Sequence, residues 1–271
     1  MMTGILILLT VFMVTSCQTL ERYSAFPGGS RSLEQQSRSD SEKWVRNEQD
    51  ADQFIDHEMY NQIVDGRTGI PGTDGYGRTY IVSLEGLTGQ QEALVKSAMS
   101  LIGKNSLVVR GRRFNFDCTG VVLAAYWGAG FDMMPLFNRE SGNGVKRLHD
   151  IGVRGGTLST STRRLPKVGD IIIWDNTYDR NGNGRWDDEF THNGLVLDVQ
   201  PNGQITYLHH NYAQGIVLAR MHLGQMETHL DRNQQLEINS PMRMRSHRHI
   251  RPNQWLSSHL FRAYVEIFPL L

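Results

Sequence analysis

The chemistry-bearing residues fall into two groups, a thiol at the start of an apolar run and a short loop of oxygen-bearing side chains. Cys118 lies in FNFDCTGVVLAAYWGAG, directly after an Asp and ahead of residues that read as a helix. Amides of a first helical turn and the helix dipole favour a thiolate, so a thiol placed there is expected to be an activated nucleophile. Further along, DNTYDRNGNGRWDDEF sets Asp179, Asn181, Asn183, Gly184 and Asp187 at positions 1, 3, 5, 6 and 9 of a calcium loop, with Arg185 offering its carbonyl at position 7. Position 12 falls on Phe190 rather than on a glutamate, and Glu189 comes one place early. A structural calcium ion is the expectation, against the alternative of a solvated acidic turn, since Asp, Asn and Gly dominate turns without any metal.

These groups need elements to position them. Thr88-Gly89-Gln90-Gln91 has capping-box spacing, and Leu94, Val95, Ala98, Met99, Leu101 and Ile102 recur at helical spacing before Gly103, which predicts a helix of ~14 residues. A second helix is expected from Asp117 or Cys118 to the glycines at 128 and 130, with Val122, Leu123, Tyr126 and Trp127 buried. Leu165 to Asp170 reads as a turn before a buried strand, Ile171 to Trp174. Pro201-Asn202-Gly203 between two apolar runs signals a hairpin. A two-residue Asn202-Gly203 turn would set His192 opposite Ala213; strand alternation then puts His209 and Asn211 on the face of His192, and His210 on the other. A closing strand is expected within Leu260 to Phe268, after a basic stretch, Arg243 to Arg251, that reads as a solvated loop or a contact for anionic headgroups or polymer.

The chain has 271 residues with 28 basic and 28 acidic side chains, and this balance offers no global electrostatic argument for a nucleic acid partner. Ile5 to Val14 is apolar but shorter than the roughly 20 residues that span a bilayer, and Val14-Thr15-Ser16-Cys17 follows it. This pattern resembles the lipobox of bacterial lipoproteins, which implies a signal peptide over 1–17, a lipidated Cys17 as membrane anchor and, with Gln18 next, an outer-membrane destination facing the periplasm. Residues 18–87 read as a polar tether and N-terminal extension, with Gly66 to Gly77 as loop. Cys17 and Cys118 are the chain's two cysteines, so a lipidated Cys17 leaves Cys118 unpaired in an oxidising compartment, where a free thiol needs a reason.

FNFDCTGVVLAAYW, LPKVGDIIIWD, THNGLVLDV and ITYLHHNY, in that order, resemble the NlpC-type papain-like cell-wall cysteine peptidases and the related cysteine, histidine-dependent amidohydrolases/peptidases. The similarity runs from about Thr88 to Tyr212. It implies an α+β, papain-like domain over 88–271 with the nucleophile at the N-terminus of a helix packed on an antiparallel sheet, and the 175–190 loop as an insertion. It also implies cleavage of amide bonds in peptidoglycan peptide stems without a catalytic cofactor. Cys118 would attack the carbonyl, His192 would hold the thiolate and protonate the leaving amine, and His209 would orient His192, with Asn211 as the rival for that third place. The sequence departs from the pattern at Thr119, where Ser is usual, at Asn193, where an apolar residue is usual, and at the Arg-rich approach 108–113. Two other readings keep the same cleft: a thiol acyltransferase, and a non-catalytic, calcium-stabilised envelope lipoprotein that binds cell wall.

Overall fold

A computed structural model describes residues 69–231 and 236–271. The expected signal peptide, the lipobox expected at Cys17 and most of the expected tether lie outside these residues. Among the described residues no helix is long and apolar enough to cross a membrane.

The domain is mixed α and β, with antiparallel sheets. Strands β1 (Gly69–Thr73) and β2 (Thr79–Ser83) form a hairpin, followed by helix α1 (Gly89–Met99), a small hairpin of β3 (Leu107–Val109) and β4 (Arg112–Phe114), and helix α2 (Cys118–Gly128). Helices α3 (Met134–Phe137) and α4 (Gly144–Gly155) come next, then strands β5 (Leu158–Ser159), β6 (Ile171–Trp174), β7 (His192–Val199), β8 (Ile205–Asn211), β9 (Gly215–Met221) and β10 (Phe261–Val265). The main sheet has the order β5-β10-β6-β7-β8-β9, and every pairing in it is antiparallel. The closing strand therefore lies inside the sheet, between β5 and β6.

Local chemistry accounts for the helix starts. Thr88 and Gln91 exchange both bonds of a capping box, Gln91 N–H to Thr88 Oγ1 at 3.3 Å and Thr88 N–H to Gln91 Oε1 at 3.0 Å. Helix α1 is shorter than its apolar spacing predicts, ending at Met99 before turns that run to Gly103 at φ +73°. Asp117 caps α2 by accepting the Gly120 N–H at 2.7 Å, an arrangement that typically stabilises a helix by about 1 kcal/mol. Gly120 is required sterically, since a Cβ there would come within 1.8 Å of the Asn115 carbonyl oxygen.

Two cores sandwich the sheet. On one face Leu94, Val95 and Ala98 of α1, Val121, Val122 and Ala125 of α2, and Leu148 and Ile151 of α4 pack against Ile171, Ile173, Leu195, Leu197, Leu208 and Leu218. Full burial of each Leu or Ile stabilises by about 1.5–3 kcal/mol, which fixes the helices on this face. On the other face Ile172, Trp174, Val196, Tyr207, Ala219 and Tyr264 pack beneath Leu260 and Leu223, with Trp186 and Met242 alongside.

Three sequence expectations change. Residues 69–73 and 79–83, within the stretch assigned to tether and loop, form a strand pair: Asp74 accepts the N–H groups of Tyr76 and Arg78 at 2.8 and 2.9 Å and so closes the turn that the glycines alone made look irregular. The β7–β8 connection is a three-residue loop, in which Gly203 N–H donates to Gln200 O and Gln200 N–H to Gln204 O, with Gly203 at φ +93°. With a bulge between Val196 and Asp198, this leaves Leu195 opposite Leu208, a register that carries His192 opposite Asn211 rather than Ala213. The basic C-terminal stretch is only partly solvated, because Arg243 is buried, stacked on Trp186 at 4.4 Å, and donates to the carbonyls of Asn176 and His247.

Candidate active site

Cys118, half-buried and unpaired, lies on the wall of a cleft of about 510 Å³. Arg112, Arg113, Arg147, Tyr178, Arg180 and Phe190 line the same cleft. Arg112 is committed to Asp132 and to the ring of Trp127, and Arg147 to the Glu140 carbonyl and the ring of Phe137. The α2 cap places the sulfur at the first helical position, and β7 supplies what it touches. Asn193 Nδ2 lies 3.6 Å from Cys118 Sγ and donates to Thr119 Oγ1 at 2.9 Å. Thr119 and Asn193, two of the positions at which the chain departs from the peptidase pattern, are thus bonded to each other beside the thiol. Asn193 is fully buried, and its Oδ1 has no hydrogen-bond partner.

Sheet alternation decides which imidazoles can serve this thiol. In the register Ile173 opposes Asn193 and Trp174 opposes His192, and cross-strand partners share a face. Ile173 belongs to the helix-side core and Trp174 to the other, so Asn193 faces α2 and His192 points away from it. His192 Nε2 lies 2.9 Å from His209 Nδ1, and His192 packs on Trp174 at 5.9 Å and His209 on Tyr207 at 5.4 Å. The structure therefore joins His192 to His209, and the side chain bonded toward the Cys118 sulfur is that of Asn193 rather than the imidazole that the resemblance implies. The physical reason is the two-residue period of a strand: Asn193, one place on from the expected base, takes the sulfur-facing position. Asn211, opposite His192, accepts the N–H groups of Ala213 and Gln214 at 2.9 and 3.3 Å and so serves the β8–β9 turn.

Of the three histidines on β7 and β8, the one on the thiol's side of the sheet is His210. It opposes Ile216 of the helix-side core, follows Leu208 of the same core by two residues, and stacks edge-on with Phe116 at 4.6 Å. Carried two residues beyond Leu195–Leu208, the β7–β8 register sets its backbone across from Asn193. His210 and Asn193 were not singled out as catalytic candidates from sequence; the available signal was a polar side chain at alternate, otherwise apolar positions of two buried strands.

The electrostatics separate the groups further. Burial pushes the Cys118 thiol up to about 11, and the Asp117 carboxylate adds to the rise, while bonds from Asn193 and Thr119 act in the opposite sense. The expected thiolate is therefore a neutral thiol in this conformation, since desolvation and one carboxylate outweigh the helix start. Burial brings His192 down to about 3, with His210 contributing, and lowers His209 well below the usual imidazole range. His210 is also lowered by burial, with Asp117 opposing that shift.

The loop expected to hold calcium runs along one side of the cleft, where Tyr178, Arg180, Phe190 and Thr191 contribute to the wall. Asp179, Asn181, Asn183 and Asp187 are hydrogen-bonded to one another or to the loop backbone, and the Arg185 N–H donates to Asn183 Oδ1 at 2.8 Å. Among the described residues no group of three or more His, Cys, Asp or Glu side chains is arranged to hold a metal ion.

No family model, no curated protein and no solved structure matches the chain, so the reading of this cleft rests on its own residues.

Proposed function

We propose that the chain is a cysteine peptidase or amidase that cuts amide bonds in peptidoglycan peptide stems, held at the outer membrane through Cys17 and facing the periplasm. The observation that supports this most is the position of Cys118, an unpaired thiol at a capped helix N-terminus on the wall of an open cleft, with a polar cluster of Thr119, Asn193 and His210 on that side of the sheet. In this reading Cys118 attacks the amide carbonyl and His210, in place of His192, takes the thiol proton and returns it to the leaving amine. Water then hydrolyses the thioester. His210 reaches the sulfur by turning away from Phe116, and the thiol falls from its raised value once an imidazolium stands beside it. Asn193, already donating toward the sulfur, is suited to hold the thiolate or the oxyanion that forms next to it. Purified sacculi digested with the intact protein should release peptide fragments identifiable by mass, and Cys118→Ala should release none. Acyl transfer to an added amine, rather than to water, would make the same thiol an acyltransferase.

A second reading is favoured by one specific observation. A thiol raised to about 11, with an amide rather than an imidazole against it, suits a cleft that binds cell wall without cutting it. Sacculus binding that survives Cys118→Ala, with no fragments released by the unsubstituted protein, would select that reading.

A further inference from the structure

Loop 179–190 retains the side-chain order of a calcium loop but has no oxygen side chain at its last position, and the fold offers a candidate for the missing ligand. Gly184, at position 6, adopts φ +70°, the sharp turn such loops require there. Asp179 accepts N–H groups from Gly182, Asn183 and Gly184 at 2.8, 3.2 and 2.9 Å, which wraps the backbone around its carboxylate. Asn181 and Asn183 each donate Nδ2 to Asp187 Oδ1 at 3.2 Å, so the first, third, fifth and ninth positions close one ring. Asp188 comes from beneath. Its Oδ1 accepts the Asn181 N–H at 3.3 Å, which sets the carboxylate against the interior of the loop. Its Oδ2 has no partner, although Asp188 is only 2 % exposed. A buried carboxylate oxygen without a partner costs free energy, and a cation would relieve that cost.

We propose that this loop binds one calcium ion through Asp179, Asn181, Asn183, the Arg185 carbonyl and Asp187, with the buried carboxylate of Asp188 standing in for the glutamate absent at position 12. Calcium accepts amide and backbone carbonyl oxygens alongside a few carboxylates, so the ligand set needs no third clustered acid; turning the two Asn amides over would aim their oxygens inward. The loop is anchored well enough to present that set. Asn176 N–H donates to the Asp188 carbonyl at 2.7 Å, Asp188 N–H to Asn176 Oδ1 at 2.9 Å, and Trp186 packs on the far-side core. The competing charge is Arg243, buried within range of Asp179 and Asp188 and having its own unpartnered Nη2. A wet contact from that guanidinium is the rival way of balancing Asp188.

Calorimetry on the full chain, stripped with chelator and titrated with calcium chloride and separately with magnesium chloride, separates the two. The expected result is uptake of about one calcium per chain with a dissociation constant of about 10⁻³ M or tighter, and weaker uptake of magnesium, whose octahedral demand this ring of mixed oxygens does not meet. Asp188→Asn is expected to weaken calcium binding at least tenfold. If that variant fails to fold, Asp187→Asn, at an exposed position, carries the same expectation. Absence of calcium uptake by the unsubstituted chain would overturn the proposal and leave Asp188 to Arg243, as would unchanged affinity in the folded variants or magnesium bound as tightly as calcium. None of these readings depends on hydrolysis.

Discussion

The two faces of the main sheet each carry histidine, and they treat it in opposite ways. On the far face His192 and His209 bond to each other at 2.9 Å among Trp174 and Tyr207, and burial keeps them neutral. On the helix face His210 sits at the edge of the polar cluster that contains Cys118, Thr119 and Asn193, stacked on a partly exposed Phe116. A pair of mutually satisfied imidazoles in an apolar layer is a packing device, since each supplies the other's hydrogen bond and neither needs a charge. In the proposed reading the single imidazole on the thiol's side, within range of the Asp117 carboxylate, is the one that transfers the proton. In the proposed reading one residue of strand alternation separates these roles.

Substitutions can break that contrast. The largest expected effect is on Cys118→Ala, which should lower muropeptide hydrolysis by about 10³-fold or more, because the other groups of the cleft have nothing to activate without the nucleophile. Next, His210→Ala should lower the rate by about 10²-fold or more, in the range typical of a lost general base. His192→Gln and His209→Gln should leave the rate per folded molecule unchanged, and each should destabilise the domain by about 1–3 kcal/mol as its buried partner loses a hydrogen bond. Steady-state assays alongside thermal melts read the two effects separately. If His192→Gln abolishes turnover while His210→Ala does not, the roles assigned to the two faces are reversed.

A smaller effect follows from the far-face pair's titration. His192 is brought down to about 3 from its ordinary value near 6.5, so the unfolded chain takes up a proton in that window and the folded chain does not. Stability is therefore complete above about 6.5 and falls as pH drops toward about 3. Asp170, raised by burial to about 6, acts in the opposite sense, because the folded chain binds its proton more tightly there. Melting temperatures of His192→Gln compared with the unsubstituted chain cancel the Asp170 contribution. The difference between the two should narrow on acidification, and a constant difference would mean that His192 is not the buried neutral base described here.

Much of the positioning machinery is legible in the sequence, because it depends on local rules. The capping box at Thr88, the Asp117 cap, the Ile171 to Trp174 strand and the hairpin around Asn202-Gly203 each follow from short-range hydrogen bonding or period-two burial. The β1–β2 hairpin is less legible, since its glycines and Pro71 read as loop until Asp74 is seen gathering the backbone amides of the turn. The identity of the sulfur's neighbour is not local at all. It depends on which face of β7 meets α2, and this is set by Ile171, Ile173, Leu195 and Leu197 burying against the helices, with Cys118 75 residues from Asn193 in sequence. Asn193 nevertheless leaves a trace, as a buried polar residue that interrupts an apolar strand.

The smallest effect tests the thiol itself. Asp117 contributes in two ways to the Cys118 site: its side chain caps α2, and its negative charge disfavours the thiolate. Asparagine caps a helix about as well as aspartate, so Asp117→Asn keeps the cap and removes the charge. Removing a like charge favours the ionised sulfur, and the thiol should fall below about 11 in the variant. Alkylation by iodoacetamide at pH 8 should then run severalfold faster in Asp117→Asn, with an unchanged melting temperature. Burial, the larger cause of the raised value, remains in place, so the gain should stay well short of a free cysteine's reactivity. An unchanged alkylation rate would mean that the carboxylate does not reach the sulfur, and the closeness of Asp117 to both Cys118 and His210 would then have no electrostatic consequence.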